Sequence, residues 1–500
     1  MRLAWFSPLP PARVEAAGLA VALIRQAVSS HVVDVFTSDE YWLPWARWTG
    51  APTPDLPYVD ARSTRRSIPR EEASPRHAEA TLAPSTWRGP RTPAAPAGHA
   101  RLFRAWEFLF AEQHAAYDLK VYQMGNDRAH DFVWPYAFRW PGLVVLHQAD
   151  LHDARARRLL HLARPADYRQ EFAFNHPGIN PRTPEYVIAD VPDRPTGLWP
   201  MLRAIVRRAR GVLVHNRRLL EDLREQFPES PLRLMTAGIA GDAHLVPPNE
   251  PTPFVVAAVG PRLVPRLPSL VRAFAAVVRH HPDARLLLLD DRDTAPGAGP
   301  AAAPPDVDAR VGARIEARGY VPDAALAPHL AEASVAVAVR WPTWRETSTR
   351  WLHALAAGLP TIVADEANLV DLPLIEPIDW TLLHTREDAR AVLDPPTWRD
   401  AVAVAVDVRR EETMVRQALL RLARDTELRA VLGTNARCFW EAHHTESRMH
   451  ADLMEALEWC AEQPEPALPL DFPPHLTADG TTDMRRTLEE LGVVTDVLSG

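Results

Sequence analysis

Lysine is almost missing from this chain, cysteine is scarce, and no apolar run is long. Of the 56 basic residues only Lys120 is a lysine; the other 55 are arginine. Any anion site must therefore use the planar guanidinium fork where a point-like ammonium is commoner. The two cysteines, Cys438 and Cys460, make neither a disulfide framework nor a zinc set. No stretch approaches the ~20 apolar residues of a membrane span. The apolar run at the N-terminus is too short for a signal peptide and reads as a first strand. The expected location is the cytoplasm, with no integral membrane segment; peripheral membrane contact stays compatible with the sequence.

Several catalytic signatures are also absent. No Gly-x-Gly-x-x-Gly follows the first strand, where Pro10-Pro11-Ala12-Arg13-Val14-Glu15 stands, which argues against a nicotinamide dehydrogenase. There is no P-loop and no Gly-x-Ser-x-Gly elbow. Asp291-Arg292-Asp293 has the spacing of a metal-binding pair, but acidic residues are common in a loop that follows a strand. His443, His444, Glu446 and His450 fall on a helical stretch with no fixed ligand geometry and read as a solvated face. No metal site is expected, and no short-period repeat is present.

What is there is an ordinary globular composition, 47% hydrophobic and 24% charged, spread over 500 residues. That is too long for one core, so two domains are expected. A net charge of −8 argues against a nucleic-acid partner, which would need a basic face. Strands are expected at 3–6, 32–36, 118–123, 143–146 and 211–214, and helices at 16–26, 129–138, 198–209 and 217–226. This alternation means a parallel sheet covered on both faces. Segment 51–98 is rich in Pro, Arg, Ser and Thr and reads as an irregular insertion. A proline-rich break at 245–251 separates a second alternation. Its strands are expected at 254–259, 285–289, 314–317, 335–339 and 360–364, and its helices at 267–279, 323–331 and 347–357. Beyond Pro395 the chain reads as mainly helical to about 462. The fold class is α/β, with two doubly wound Rossmann-like domains, 1–245 and 252–415, facing across a cleft. The helices of 416–462 are expected to pack back onto the first domain, and 463–500 to be a proline-rich linker and short tail. Ligands of such sheets sit outside the carboxyl ends of the strands.

Two loops of the second domain could carry chemistry. Strand 254–259 runs into Gly260, Arg262 and Arg266. Glycine permits close backbone approach, and guanidiniums in a strand-to-helix loop can grip a diphosphate. Surface arginines in so arginine-rich a chain would look the same. Strand 335–339 runs through Trp341 and Trp344 to Glu346, Thr347 and Ser348. Thr347 or Ser348 is expected to cap the next helix, whose N-terminus favours an anion. Glu346 is placed to accept hydrogen bonds from sugar hydroxyls, or merely to offset the dipole of its own helix. Trp341 and Trp344 offer faces for a sugar ring or for packing between domains. Asn126 and Asp150, beyond two strands of the first domain, are further candidates for sugar or acceptor contacts.

In order and spacing these segments resemble the retaining nucleotide-sugar glycosyltransferases of family 4, which have the GT-B fold. Segment 260–266 is similar to the family's Gly-Arg-x-x-x-x-Lys donor-phosphate loop. His280-His281-Pro282-Asp283-Ala284-Arg285-Leu286 resembles the entry to the next strand, and 319–323, with Tyr320 and Val321, the loop bordering the nucleobase. Segment 345–362 resembles the helix and strand that carry a Glu-x7-Glu pair. Val144-Val145-Leu146-His147 resembles the strand whose terminal histidine lies near the donor sugar. The likeness spans most of 1–460. It departs in three places. The glycine-rich loop after the first strand is reduced to Gly18, Arg266 stands for the phosphate-binding lysine with Arg262 shifted by one, and the second glutamate is missing. Eight residues on from Glu346 is Ala354; aligning on Gly358 instead places Arg345 and His353 in the two slots.

The resemblance implies sugar transfer from a nucleoside diphosphate-sugar to an unknown acceptor (a glycan, a lipid-linked or a small molecule). It implies retention by front-face substitution, with no metal and no cofactor. It assigns His147 and Glu346 to catalysis and Gly260, Arg262, Arg266, Thr347 and Ser348 to the donor phosphates. The alternative is a catalytically degenerate GT-B protein that binds a nucleotide-sugar or a partner without turnover.

Overall fold

The computed structural model describes residues 1–40, 58–60, 100–114, 116–191, 196–241, 253–260, 266–289, 304, 306–341, 343, 345–369, 371–383, 398–478 and 490–492. Most of the expected insertion 51–98, Arg262, Trp344, the pair Asp291 and Asp293, and most of the chain beyond 478 lie outside the described residues.

Among the described residues eight strands form the first sheet: β1 (Arg2–Phe6), β2 (Val32–Thr37), β3 (Tyr58–Asp60), β4 (Ala100–Arg104), β5 (Leu119–Met124), β6 (Leu143–Leu146), β7 (Gly211–Val214) and β8 (Leu232–Leu234). Their order is β3-β4-β2-β1-β5-β6-β7-β8, and every pair is parallel. The second sheet holds β9 (Val255–Val259), β10 (Arg285–Leu289), β11 (Ile315–Gly319), β12 (Val335–Ala338), β13 (Thr361–Ala364), β14 (Leu374–Ile375) and β15 (Ala403–Val406). It is again all parallel, in the order β11-β10-β9-β12-β13-β15-β14. Strands such as β9, buried along their whole length, need apolar side chains on both faces, so they appear in the sequence as continuous runs. In each sheet the winding reverses beside its first strand, between β1 and β5 and between β9 and β12. These are the positions where doubly wound sheets open a crevice.

Several local expectations change. Residues 403–406 lie in a stretch read as helical but form the buried strand β15. Four apolar residues in a row carry no period that separates strand from helix. The helix expected at 198–209 is confined to Arg203–Arg208, and that at 129–138 divides into a 3-10 turn, Arg128–His130, and a helix, Trp134–Arg139. Helices His152–His161, Pro165–Asn175 and Pro184–Ile188, not anticipated, fill the connection between β6 and β7.

The C-terminal helices divide between the domains. Helix Glu411–Arg424 packs on Leu267–His280, and helix Thr426–His443 on Thr349–Ala356, both in the second domain. Gly433 makes the second contact close, since a Cβ there would stand 2.3 Å from the carbonyl oxygen of Gly358. Helix Glu446–Glu462 crosses to the first domain, so the crossing is shorter than the expected 416–462. It lies on helix Glu15–Ala27. Gln26 donates to the Glu446 carbonyl at 3.0 Å, Arg210 donates to that of Ala461 at 2.7 Å, and the amide of Thr236 donates to Asp452 at 2.8 Å. Leu23 and Ile24, Val321 and Leu352, and Leu453 and Leu457 belong to one apolar cluster that joins both domains.

Part of the expected linker is also docked. Phe472 meets Phe138 and Phe174, with ring centroids 5.9 and 5.2 Å away, and His475 lies 2.8 Å from Glu171, which pairs with buried Arg155. No helix among the described residues is long and apolar enough to cross a membrane.

Candidate functional site

A cleft of about 400 Å³ opens at the carboxyl ends of β7, β12 and β13, so that both domains line it. β7 delivers His215 and Asn216 to it, β12 delivers Arg340, and β13 leads to Glu366 and Asn368. A wider depression of about 760 Å³ around Trp380, Arg421 and Glu427 shares no lining residue with this cleft.

The loop between β12 and helix Thr349–Ala356 is held from both domains. Ser348, not Thr347, is the cap, and its hydroxyl accepts the amide of Trp351 at 3.3 Å. The Thr347 hydroxyl instead reaches the His215 carbonyl, 3.5 Å away in the first domain. Arg345 has φ of 58°, a left-handed conformation that costs a non-glycine residue on the order of 1 kcal/mol or more. Asn216 secures it by donating to its carbonyl at 2.6 Å, and Asp222 pairs with its guanidinium at 2.6 Å. Asn216 also caps helix Arg217–Gln226 by accepting the amide of Leu219 at 2.9 Å, so one side chain fixes elements of both domains. From β13's end, Glu366 accepts from Thr343 at 2.7 Å and Asn368 donates to the Glu346 carbonyl at 3.4 Å.

Within this frame Glu346 is 8% exposed and pairs with Arg340 at 3.0 Å. Arg340, which sequence reasoning passed over, is 7% exposed and also lies 3.6 Å from Glu15 of the first domain. Gly260 lies against it. Its φ is 112°, and a Cβ there would stand 3.5 Å from Arg340 Cδ. Burial pushes the Glu15 carboxyl above its usual range, with Arg340 and Arg350 opposing the shift. Arg350 pairs with Asp323 at 3.2 Å, whose carboxyl burial likewise pushes up.

Other expected site residues stand elsewhere. Arg266 is 2.9 Å from Glu411, and its guanidinium donates to the Trp341 carbonyl at 3.4 Å. The indole of Trp341 is on the surface, 41% exposed. The ring of Tyr320 carries the guanidiniums of Arg13 and Arg350, 5.4 and 5.5 Å from its centroid, and Val321 is in the core. Asn126 donates to Asp150 at 3.1 Å and accepts the amide of Ala154 at 2.7 Å, while Asp150 accepts that of His152 at 3.0 Å. These two side chains brace the start of helix His152–His161. None of these residues lines the cleft. His353 has its pKa pushed down to about 4 by burial and by Arg350. His443 and His444, read as a solvated face, line the cleft from the end of helix Thr426–His443. Among the described residues no group of three or more His, Cys, Asp or Glu is placed to hold a metal ion.

Opposite the second-domain loop, His147 and His215 form a chain at the ends of β6 and β7. The Nδ1 of His215 is 3.1 Å from the Met235 carbonyl, its Nε2 is 3.2 Å from His147 Nδ1, and His147 Nε2 is 2.7 Å from the Gln123 amide. Burial lowers the pKa of His215 to about 4; burial, with His215 and His130 nearby, holds His147 well below the ordinary value. Both rings are therefore neutral at pH 7. A carbonyl only accepts, so His215 carries its proton on Nδ1 and its Nε2 accepts from His147 Nδ1. His147 Nε2 is then an acceptor facing Gln123 Oε1, so the hydrogen bonding is satisfied with the oxygen and nitrogen of that amide exchanged, its NH2 donating to the ring; keeping the oxygen there would require a second proton on one ring. His130, fully buried, stands behind with its ring centroid 6.3 Å from that of His147.

Neither a protein-family model nor a curated protein sequence matches the chain. Solved structures do. A glycosyltransferase from Rickettsia africae aligns over 93% of this chain and 99% of its own, with TM-score 0.52 and 10% identity. HepE of Anabaena, in complex with UDP and glucose, aligns over 92% and 99%, with TM-score 0.50 and 12% identity. Sucrose-phosphate synthase from Thermosynechococcus elongatus aligns over 92% and 98%, with TM-score 0.49 and 16% identity. The likeness is one of fold. Two facing Rossmann-like domains, each on a parallel sheet, make this chain GT-B in architecture.

Proposed function

We propose that the chain is a glycosyltransferase of the retaining family 4 type. It would take a sugar from a nucleoside diphosphate donor without metal or cofactor. The observation that carries this reading is the cleft itself. Buried Arg340 and Glu346 and the helix start at Ser348 stand on its second-domain side, and the neutral His147–His215 chain meets it from the first domain. In the reaction the bond from the anomeric carbon to the diphosphate oxygen breaks, and a bond from that carbon to the acceptor oxygen forms on the same face. The acceptor's proton passes to the departing diphosphate. The protein supplies orientation and fixed charge where negative charge develops.

Glu346 accepts sugar hydroxyls in this scheme. A carboxylate has about four acceptor positions, so one ion pair does not exhaust it. Thr347 and Ser348 line the phosphate side, with Gly260 against Arg340, and the neutral, hydrogen-bonded His147 holds the sugar side in shape. HepE was crystallised with UDP and glucose, which puts UDP-glucose first among donors to try.

The test is to incubate the purified chain with UDP-, GDP- and ADP-sugars and to quantify released nucleoside diphosphate. The anomeric configuration of any product is then read by NMR. One donor is expected to release its nucleoside diphosphate and to give a retained product. Binding of a donor without release on any acceptor would make the chain a nucleotide-sugar binding protein, and no binding across the panel would refute the reading.

A further inference from the structure

A carboxylate from the first domain reaches two residues that line the cleft from the second, Arg340 and Ser348. Glu15 stands in the first turn of helix Glu15–Ala27, where the helix dipole favours an acid. That dipole does not require the side chain to reach across the domains, yet both of its oxygens do. One is 3.6 Å from an Arg340 terminal nitrogen, and the other accepts from the Ser348 hydroxyl at 3.3 Å. The second terminal nitrogen of Arg340 holds Glu346 at 3.0 Å. Gly18, one turn on, allows the approach, since a Cβ there would stand 2.6 Å from Asp323 Oδ2.

A guanidinium and a hydroxyl at the first turn of a helix are the partners a phosphate group takes, because the planar fork matches two oxyanion oxygens. Here they hold a carboxylate. The arrangement is crowded with negative charge. Glu15 and Glu346 share Arg340, Asp323 lies close by, and Arg350 is the further cation acting on Glu15. A diphosphate would add charge of the same sign to a largely buried cluster, so it and an ionised Glu15 cannot both be held there.

We propose that Arg340 and Ser348 seat the diphosphate of the donor, and that Glu15 competes with the donor for this seat. Glu15 belongs to the opposite domain, so releasing it and parting the two walls of the cleft are one movement. This rests on the nucleotide-sugar reading of the cleft and adds to it a phosphate ligand and an internal competitor.

The full chain, wild type and Glu15→Gln, is titrated calorimetrically with inorganic pyrophosphate, UDP, GDP, ADP and uridine. Losing one charged hydrogen-bonded competitor should tighten pyrophosphate and the preferred nucleoside diphosphate by about tenfold, with uridine unchanged. Arg340→Gln in the Glu15→Gln background should abolish that gain. If that variant does not fold, Ser348→Ala in the same background must reduce it. Glu15→Gln binding diphosphates no more tightly than wild type overturns the proposal, even if the wild type transfers sugar. Tighter diphosphate binding with no turnover of any nucleotide-sugar would leave the seat standing and overturn the glycosyltransferase reading alone.

Discussion

Replacing Glu346 by glutamine keeps the side chain's size and one acceptor oxygen but removes its charge, which separates two roles the residue could have. Glu346 is 8% exposed and pairs with Arg340 at 3.0 Å. If it accepts sugar hydroxyls, the loss falls on hydrogen bonds to a charged acceptor, each worth roughly 1.5–3 kcal/mol. Lost in the transition state, one such bond lowers kcat by about ten- to hundredfold. Affinity for free nucleoside diphosphate should not fall. That ligand lacks the transferred sugar, and Arg340, relieved of the Glu346 charge, attracts a phosphate no less than before. The assay pairs steady-state release of nucleoside diphosphate at saturating donor with calorimetric titration by the nucleoside diphosphate alone. A mutant that loses nucleoside diphosphate affinity while turnover per bound donor stays intact would make Glu346 a nucleotide ligand and refute the argument from position.

Arg266→Ala should act first on stability. It removes the partner of Glu411, a carboxylate that burial already pushes up, at a cost of about 1–3 kcal/mol in denaturant unfolding. A loss of diphosphate affinity at unchanged stability would return Arg266 to the phosphate site. Gly433→Ala should destabilise by about 1–3 kcal/mol, because the new Cβ meets the Gly358 carbonyl oxygen at 2.3 Å and both are backbone-fixed. An unchanged melting temperature would mean the two helices separate at no cost. Acid should weaken the fold through its buried histidines. His130 has its pKa lowered by burial from 6.5 to about 4, so the unfolded chain takes up this proton first as pH falls. Its contribution to stability is level above pH 6.5 and falls by about 1.4 kcal/mol per pH unit between there and pH 4. His130→Phe should lose that share of the slope in unfolding free energy against pH, and equal slopes would contradict the assignment.

How far each feature could be read from the sequence follows the range of the force that makes it. Strands β1, β6, β7, β9, β10, β12 and β13 are inner strands of parallel sheets, so they are apolar on both faces and stand out as short runs closed by polar or turn residues. The helix cap at Ser348 was legible to within one residue, because it needs only the amide of Trp351 three positions on. The same local logic placed Gly260 in the loop after β9 for close backbone approach; its positive φ of 112° is seen only in the structure. Strand β15 was misread because an alternation of alanine and valine over four residues satisfies either element, and only its neighbours β13 and β14 decide between them.

Ionic partners were not legible, since an arginine's sequence context does not say which carboxylate will meet it. Arg266 went to Glu411 because helix Glu411–Arg424 packs along Leu267–His280. His444 reached the cleft because the chain passes there on its way to helix Glu446–Glu462 and the first domain. The sequence by itself determined two alternating α/β units and the loops where their ligands meet them. The tertiary structure alone decided which charges face each other in the cleft. Helix Glu15–Ala27 lies against helix Thr349–Ala356, and this contact between domains, which has no local signal in either segment, brings Glu15 to Arg340.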